Sequence, residues 1–186
     1  MPLLEFANRA AWEAWLEQNH DSAPGVWLKL AKKGAPRPTV TQAQALEAAL
    51  CFGWIDGQVG RVDEHFYRQR FTHRRPRSKW SRINRDRALE LIEAGLMREP
   101  GLQEVHNAQQ DGRWEAAYEP QSQIAVPPDF QEALDRQPAA AEFFATLTGV
   151  NRYRFLYRIE DAKRPETRAR RIAQYVELLA QRKTLD

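Results

Sequence analysis

Residues 54–73 read WIDGQVGRVDEHFYRQRFTH, and this stretch decides the fold of the first half of the chain. Two strand-like runs, Trp54–Val62 and Phe66–His73, flank the three residues Asp63-Glu64-His65. A three-residue connection is typical of a β-hairpin, so we expect two antiparallel strands here. Because side chains alternate along a strand, one face of the hairpin is apolar and packs in the core. Its members are Ile55, Val59, Tyr67 and Phe71.

The opposite face of the predicted hairpin is polar and basic. If Val62 pairs with Phe66, the pairs on this face are Trp54 with Arg74, Asp56 with Thr72, Gln58 with Arg70 and Gly60 with Arg68. This face then presents an acid, an amide and three arginines beside a tryptophan. Arginines held on a strand suit a carboxylate or a phosphate, because the planar guanidinium donates two parallel hydrogen bonds.

The segment after the hairpin extends this basic surface. Ser78-Lys79-Trp80-Ser81 lies at a predicted helix start, where free backbone N–H groups favour an anion. We therefore predict one site for an anionic ligand. Its ligand-binding residues are Trp54, Asp56, Gln58, Arg68, Arg70, Thr72, Arg74, Arg75, Ser78, Lys79, Trp80, Ser81 and Asn84. The alternative is that Asp56 pairs with Arg70 or Arg74 and that the other residues form a solvated surface.

Helices and one further strand surround the hairpin in the sequence. Asn8 is a suitable N-cap for a first helix that reaches about His20. Residues 25–32 alternate as a half-buried strand, with Val26, Leu28 and Leu30 on one face and Trp27, Lys29 and Ala31 on the other. Thr41-Gln42-Ala43-Gln44 has the form of a capping box and opens a second helix.

Two more helices complete the predicted first half. Ser78 or Ser81 caps the third helix and Gly95 ends it, with Leu89 and Ile92 facing the core. A fourth helix runs from about residue 101 to 112. The first half is therefore expected to be an α+β domain, residues 1–117, with a small antiparallel sheet.

The second half reads as helical. Residues 118–128 contain three prolines and no periodicity, which predicts a linker. An all-helical domain, residues 129–186, follows it. Phe144 and Leu147 mark one helix, and Tyr153, Leu156 and Tyr157 mark the next. Pro165 opens the last helix, whose apolar stripe is Ile172, Tyr175, Val176 and Leu179.

The charge of the chain is unevenly distributed. The formal net charge is +3, but residues 68–87 hold nine Lys or Arg and one acid, a local net of +8. Residues 152–171 hold eight Lys or Arg and three acids, a local net of +5, so the remainder carries 3 − 8 − 5 = −10. Local potential of this kind steers anionic ligands.

Other features narrow the function classes. Cys51 is the single cysteine, so an intramolecular disulfide is excluded. The N-terminus has neither the basic start nor the apolar run of a signal peptide, and we expect a cytoplasmic protein without membrane insertion. His20, His65, His73 and His106 show no metal-ligand spacing, and the glycines form no phosphate-binding fingerprint. We therefore predict no cofactor and no metal, and the protein is expected to be no enzyme.

Several motifs together resemble one known family. These are GVWLKLAKK at 25–33, EAALCFGWIDGQ at 47–58, RFT at 70–72 with RRP at 74–76, SKWS at 78–81 with Asn84, and KRPETR at 163–168 with RRI at 170–172. They resemble the YdeI/OmpD-associated family, also called the bacteriocin-protection family, over nearly the whole chain. The resemblance implies a role in resistance to antimicrobial peptides or in envelope stress, and the family name implies association with an outer-membrane porin. It supplies no catalytic residues.

The function expected from these observations is stress or antimicrobial-peptide protection through binding of an anionic small molecule or an acidic protein surface. Two alternatives stay open. Arginines interleaved with Trp54, Phe71 and Trp80 could bind the phosphates and stack the bases of a nucleic acid. An enzyme with an unrecognised site near Asp56, Arg70 and Trp80 is the other alternative.

Overall fold

The computed structural model describes residues 1–185, which form two compact units, residues 1–117 and the residues from Tyr118 onward. The first unit contains β1 (Leu3–Leu4), α1 (Arg9–Asn19), β2 (Val26–Ala31), α2 (Gln42–Cys51), β3 (Trp54–Arg61), β4 (Phe66–His73), α3 (Arg82–Glu93) and α4 (Glu99–Gln110). The second contains α5 (Pro128–Asp135), α6 (Pro138–Thr146), α7 (Gly149–Glu160) and α8 (Pro165–Ala180). The predicted α+β class, with its helical second half, is confirmed.

A four-stranded sheet in the order β1-β2-β4-β3 organises the first unit. β4 pairs antiparallel with both β2 and β3, so the predicted hairpin occupies one edge of the sheet. At the other edge the two-residue strand β1 pairs parallel with β2, with Leu3 opposite Trp27. The sequence did not predict β1, because two residues are too few to show an alternation.

A β-bulge changes the register within the hairpin. Near the turn Gly60 lies opposite Arg68, as predicted, and Asp63 Oδ1 accepts hydrogen bonds from the backbone N–H groups of His65 and Phe66, both at 2.8 Å. Between Asp56 and Val59 the register shifts by one residue. A one-residue shift moves every later side chain to the other face.

The consequence of the bulge is that the predicted pairs beyond it are wrong. Trp54 lies opposite His73 rather than Arg74, and Asp56 lies opposite Phe71 rather than Thr72. Trp54 and Asp56 therefore share the core face with Phe71, and Ile55, which was expected in the core, lies opposite Thr72 on the other face. Val59 keeps its predicted partner Gln69 but is 64% exposed, so its predicted burial is also wrong.

Aromatic side chains form the centre of the first core. Trp12, Trp54 and Phe71 are completely buried, and the Trp12 ring lies 6.3 Å from that of Trp54 and 5.9 Å from that of Phe71, both edge-on. Edge-on aromatic pairs add about 0.5–1.5 kcal/mol each to the energy of area burial. Val26 and Leu28 of β2 join the same cluster, so α1 and α2 cover one face of the sheet.

The helix starts follow their predicted caps. Asn8 Oδ1 accepts from the backbone N–H of Ala11 at 3.0 Å, and the capping box of Thr41 with Gln44 is complete. Ser81 rather than Ser78 caps α3. The buried positions of α3 are Asn84, Ala88 and Leu91, so the prediction that Leu89 faces the core is wrong: Leu89 is 46% exposed.

The second unit has its own apolar core. Its buried rings form a chain of edge-on contacts, with centroids 5.3 Å apart for Phe130 and Phe144 and 6.4 Å apart for Phe144 and Phe155. From α8, Ile172, Tyr175 and Leu179 are buried as their spacing predicted. Arg168 also ties this unit together, because its guanidinium donates to both carboxylate oxygens of Asp129, at 2.6 and 2.9 Å, and to the Ile159 carbonyl at 3.0 Å.

We expect limited proteolysis to cut first in residues 121–123, an exposed turn inside the predicted linker 118–128. The rest of this segment is held more firmly, because Ile124 and Val126 pack against the second core and the Tyr153 hydroxyl donates to the Glu119 carbonyl at 3.1 Å. Exposed turns open most easily to a protease. Mass spectrometry of the early fragments of a broad-specificity digest gives the cleavage point. First cleavage inside α8 would contradict the prediction that residues 118–128 are a linker.

We expect the difference in burial between Phe71 and Val59 to be visible in the stability of two variants. Phe71→Ala should lower the free energy of unfolding by about 3–5 kcal/mol, because it opens a cavity in a closed aromatic cluster. Val59→Ala should change it by less than about 0.5 kcal/mol, because Val59 is on the surface. Urea unfolding followed by tryptophan fluorescence measures both. Equal losses in the two variants would contradict the difference in burial between these two positions.

Candidate functional site

The bulge divides the predicted site residues between the two faces of the sheet. Trp54, Asp56, Arg74, Trp80 and Asn84 lie on the core side and form what we call the interior group. The opposite face of the sheet, which we call the open face, carries Arg68, Arg70 and Thr72 of β4. The residues that the sequence assigned to one site thus lie in two separate groups, one on each face of the sheet.

Trp54 takes its place in the interior group as a packing residue. It is completely buried, and its indole N–H donates to the His20 carbonyl at 3.0 Å, so its polar atom is satisfied within the core. The ring lies 4.9 Å from His73, its partner across the hairpin. Nothing in these contacts leaves the ring free for a ligand.

Asp56 is the acid of the interior group. Gln69 Nε2 donates to Asp56 Oδ2 at 2.8 Å, and the Asn84 side chain is a further hydrogen-bond partner. Burial raises the pKa of the Asp56 carboxyl, while the positive charge of Arg74 and the two amide donors act in the opposite direction. Burial disfavours the ionised form of an acid, and here its effect exceeds that of the partners.

Arg74 is the cation of the interior group. Its guanidinium carbon lies 3.5 Å from the centre of the Trp80 ring, and its Nη1 donates to the Lys79 carbonyl at 3.3 Å. The Trp80 ring also makes an edge-on contact with Trp114 at 4.9 Å. The alternative raised from the sequence was that Asp56 pairs with Arg70 or Arg74. Of these two arginines, Arg74 is the one whose charge acts on Asp56 in the structure.

Within residues 1–185, buried polar atoms without a hydrogen-bond partner occur in the interior group and on Gln69, which is bonded to it. Among them are the acceptor Gln69 Oε1 and the donor Trp80 Nε1. Both side chains are less than 5% exposed. The polar groups of this region are therefore only partly satisfied by one another.

The residues between β4 and α3 form a turn and a helix cap. Ser78 Oγ accepts from the backbone N–H of Arg75 at 2.9 Å, and the N–H of Ser78 donates back to the Arg75 carbonyl at 2.8 Å. Ser81 Oγ accepts from the N–H of Asn84 at 3.1 Å. This cap uses one of the N–H groups expected to bind an anion, and Arg70 lies on the other side of the sheet from it.

The open face presents cations around a tryptophan of β2. Trp27 lies directly opposite Arg70, and Lys29 lies directly opposite Arg68. The Arg68 guanidinium carbon is 4.6 Å from the Trp27 ring centre. A side chain at Gly60 would place its Cβ 3.0 Å from Arg68 Nε, so the glycine leaves room for this arginine to lie across the sheet.

The open face is accessible and its arginines are not neutralised. Arg68 is exposed, and Trp27, Arg70 and Thr72 are half-buried. In residues 1–185 neither Arg68 nor Arg70 has a carboxylate within ion-pair distance, whereas Lys29 Nζ lies 3.1 Å from Glu5 Oε2. Two positive charges on one sheet face are therefore available to an anion.

The sequence prediction missed Trp27, Lys29 and Gln69. The alternation of residues 25–32 already put Trp27 and Lys29 together on one face. What the sequence did not show is that β2 pairs with β4, which brings that face beside the hairpin arginines. Of the remaining predicted residues, Gln58 is exposed at the bulge, and Arg75 and Lys79 are exposed beyond β4.

Cys51 is the single thiol of the chain, and it lies in the first core. Cys51 is buried, and burial raises the pKa of its thiol to about 11, which keeps it protonated. No group of three or more His, Cys, Asp or Glu in residues 1–185 is arranged to hold a metal ion. Within the same residues, none of the helices has the length and apolarity needed to cross a membrane.

Two protein families match the chain. The family described as a domain of unknown function, DUF8412, matches residues 4–104, and the family described as bacteriocin-protection, YdeI or OmpD-associated, matches residues 123–182. The resemblance inferred from the motifs is thereby confirmed, although its match lies in the second unit. The hairpin and both residue groups lie within the first match. No curated protein and no solved structure shows significant similarity to the chain.

We expect the charge of Asp56 to weaken the fold as the pH rises. Because burial raises the pKa of this carboxyl, the native state keeps its proton at a pH where the unfolded state has lost it. The stability of the wild type should therefore fall, relative to that of Asp56→Asn, as the pH rises from about 4. Urea unfolding of both proteins at stepped pH measures the difference. A wild type that gains stability over Asp56→Asn with rising pH would contradict this.

Proposed function

This chain belongs to the DUF8412 family and carries a bacteriocin-protection, YdeI or OmpD-associated region, and from this premise we propose that it binds an anionic ligand or an acidic partner in a protective stress response. The proposed place of action is the cytoplasm. The binding surface is the open face of the sheet in the first unit.

The observation that carries the proposal is the pair Arg68 and Arg70 beside Trp27. Among residues 1–185 no carboxylate lies within ion-pair distance of either guanidinium, so both can donate hydrogen bonds to an anion. A strand holds their backbones in fixed positions, which reduces the entropy lost when both bind the same anion. Thr72 adds a hydroxyl on the same face.

The interior group supports a structural role instead. Asp56 already has amide partners and the charge of Arg74, so an incoming anion would meet a carboxyl group that has its own counter-charge. Arg70 lies on the opposite face, so Asp56, Arg70 and Trp80 do not form one site. The enzyme alternative based on these three residues therefore has no geometric support.

We expect Arg70→Ala to weaken the binding of inorganic tripolyphosphate by about 10- to 150-fold, since charge-assisted hydrogen bonds contribute about 1.5–3 kcal/mol each. Arg70→Lys should also weaken it, because an ammonium keeps the charge but loses the planar fork. Isothermal titration calorimetry measures the affinity.

The matched control is Arg61→Ala, which removes the same charge from the same hairpin. Arg61 lies opposite Tyr67 and therefore on the other face, so its loss should leave binding nearly unchanged. Arg70→Ala should also leave the melting temperature of the free protein unchanged, because no ion pair is broken. Equal binding by wild type and Arg70→Ala, or a loss of stability without a loss of affinity, would refute the proposed surface.

A further inference from the structure

The open face combines an aromatic ring with positive charge in one continuous surface. Trp27 stands in the second strand of the sheet, with Arg70 beside it on β4 and the Arg68 guanidinium over its ring at 4.6 Å. Leu3 of β1 flanks Trp27 on the other side and is 46% exposed. The ring is half-buried and so keeps an accessible part.

We propose that this face binds single-stranded nucleic acid, with a base stacked on Trp27 and the adjacent phosphates held by Arg68 and Arg70. The inference rests on the proposed function, because it uses the same surface and names the class of anion. Sheet faces that carry exposed aromatic rings among cations bind unpaired strands in this way, since every base has a π-face.

The geometry favours an unpaired strand over a duplex. Bases in a duplex are stacked on each other and hide the faces that Trp27 would contact. The major groove admits a helix or a two-stranded ribbon, whereas Trp27 lies in the second of four hydrogen-bonded strands. A single strand can instead lie across the sheet, because its bases turn out independently of one another.

An acidic protein surface fits this face less well. Carboxylates would pair with Arg68 and Arg70 but would leave the Trp27 ring without an aromatic partner. The ring is now covered by the Arg68 guanidinium, a cation–π contact that a base can replace while Arg68 turns to a phosphate. The face thus offers one stacking position and two phosphate contacts within neighbouring rows of the sheet.

The acid at the edge of this face does not oppose the binding of phosphates. Glu5 accepts from Arg37 at 2.7 and 2.9 Å and lies 3.1 Å from Lys29. The hydrogen bonds from Arg37, followed by those from Lys29, lower the pKa of Glu5 to about 2. Glu5 is therefore ionised, and the positive charges of Arg37 and Lys29 balance its negative charge. The unbalanced positive charge of the face comes from Arg68 and Arg70.

The test compares two labelled strands of about 12 nucleotides, one of thymidines and one abasic, with the same number of phosphates. Fluorescence anisotropy should show that the thymidine strand binds about 5- to 150-fold more tightly, as expected for stacking of one base. Trp27→Leu should abolish this difference and leave the affinity for the abasic strand unchanged, and Trp27→Phe should restore part of it. The slope of log affinity against log salt should fall by about 0.7 in Arg70→Ala and stay constant in Arg61→Ala.

The outcomes separate the inference from the proposed function. Equal binding of the two strands, tighter binding of a duplex, or equal binding of a polyglutamate peptide would overturn the nucleic-acid inference and leave anion binding in place. Failure of both strands and of tripolyphosphate to bind would overturn both. If Trp27→Leu lowers the melting temperature, the Trp27→Phe variant provides the test of stacking. Loss of the thymidine preference in a stably folded Trp27→Phe would overturn stacking by an aromatic ring.

Discussion

Two residues of β3, Gly57 and Gln58, stand opposite a single residue of β4, and this bulge determines on which face each side chain of the hairpin lies. Beyond it, Trp54 points into the core and completes the aromatic cluster with Trp12 and Phe71. Without the extra residue, Trp54 would face the other side and leave a large cavity in that cluster. A Cβ added at Gly57 would lie 3.7 Å from the Arg70 carbonyl oxygen, an ordinary contact, so the bulge itself does not require a glycine there.

The same bulge places a polar cluster inside the protein. Asp56 and Gln69 share the core face with Phe71, so a half-buried carboxyl and a buried amide lie where strand alternation predicts apolar groups. Such a pair is tolerated because Gln69 and Asn84 donate to the acid and Arg74 lies close enough to offset its charge. In the middle of β4 the side chains alternate: Gln69 and Phe71 are buried, whereas Arg68 and Arg70 lie on the open face. Phe66, at the start of β4, is the exception, because it shares the face of Arg68 but is buried under Lys29 and Arg37.

Several elements were predictable because their causes are local. Asn8 and Thr41 cap helices through contacts three residues away, and Pro165 begins α8 at the position where a missing N–H costs nothing. The burial of Phe71 was predicted from alternation within β4, which has no irregularity. The faces of Trp54, Ile55 and Asp56 were not predicted, because a bulge in one strand is defined by its pairing with the other strand. The residue types of the candidate site were predicted from the sequence, but their division between the two faces of the sheet was not, because it depends on the same bulge.

The sequence by itself determined the class of the fold, the positions of the helices and the hairpin, and the concentration of positive charge in residues 68–87. These follow from periodicity, caps and composition, which act over a few residues. Only the tertiary structure decided that β2 lies beside β4, which brings Trp27 to Arg68 and Arg70, and that Arg74 belongs to the interior with Asp56. Strand order and register depend on contacts between residues distant in the chain, and burial of the aromatic cluster selects one arrangement among those that the local pattern allows.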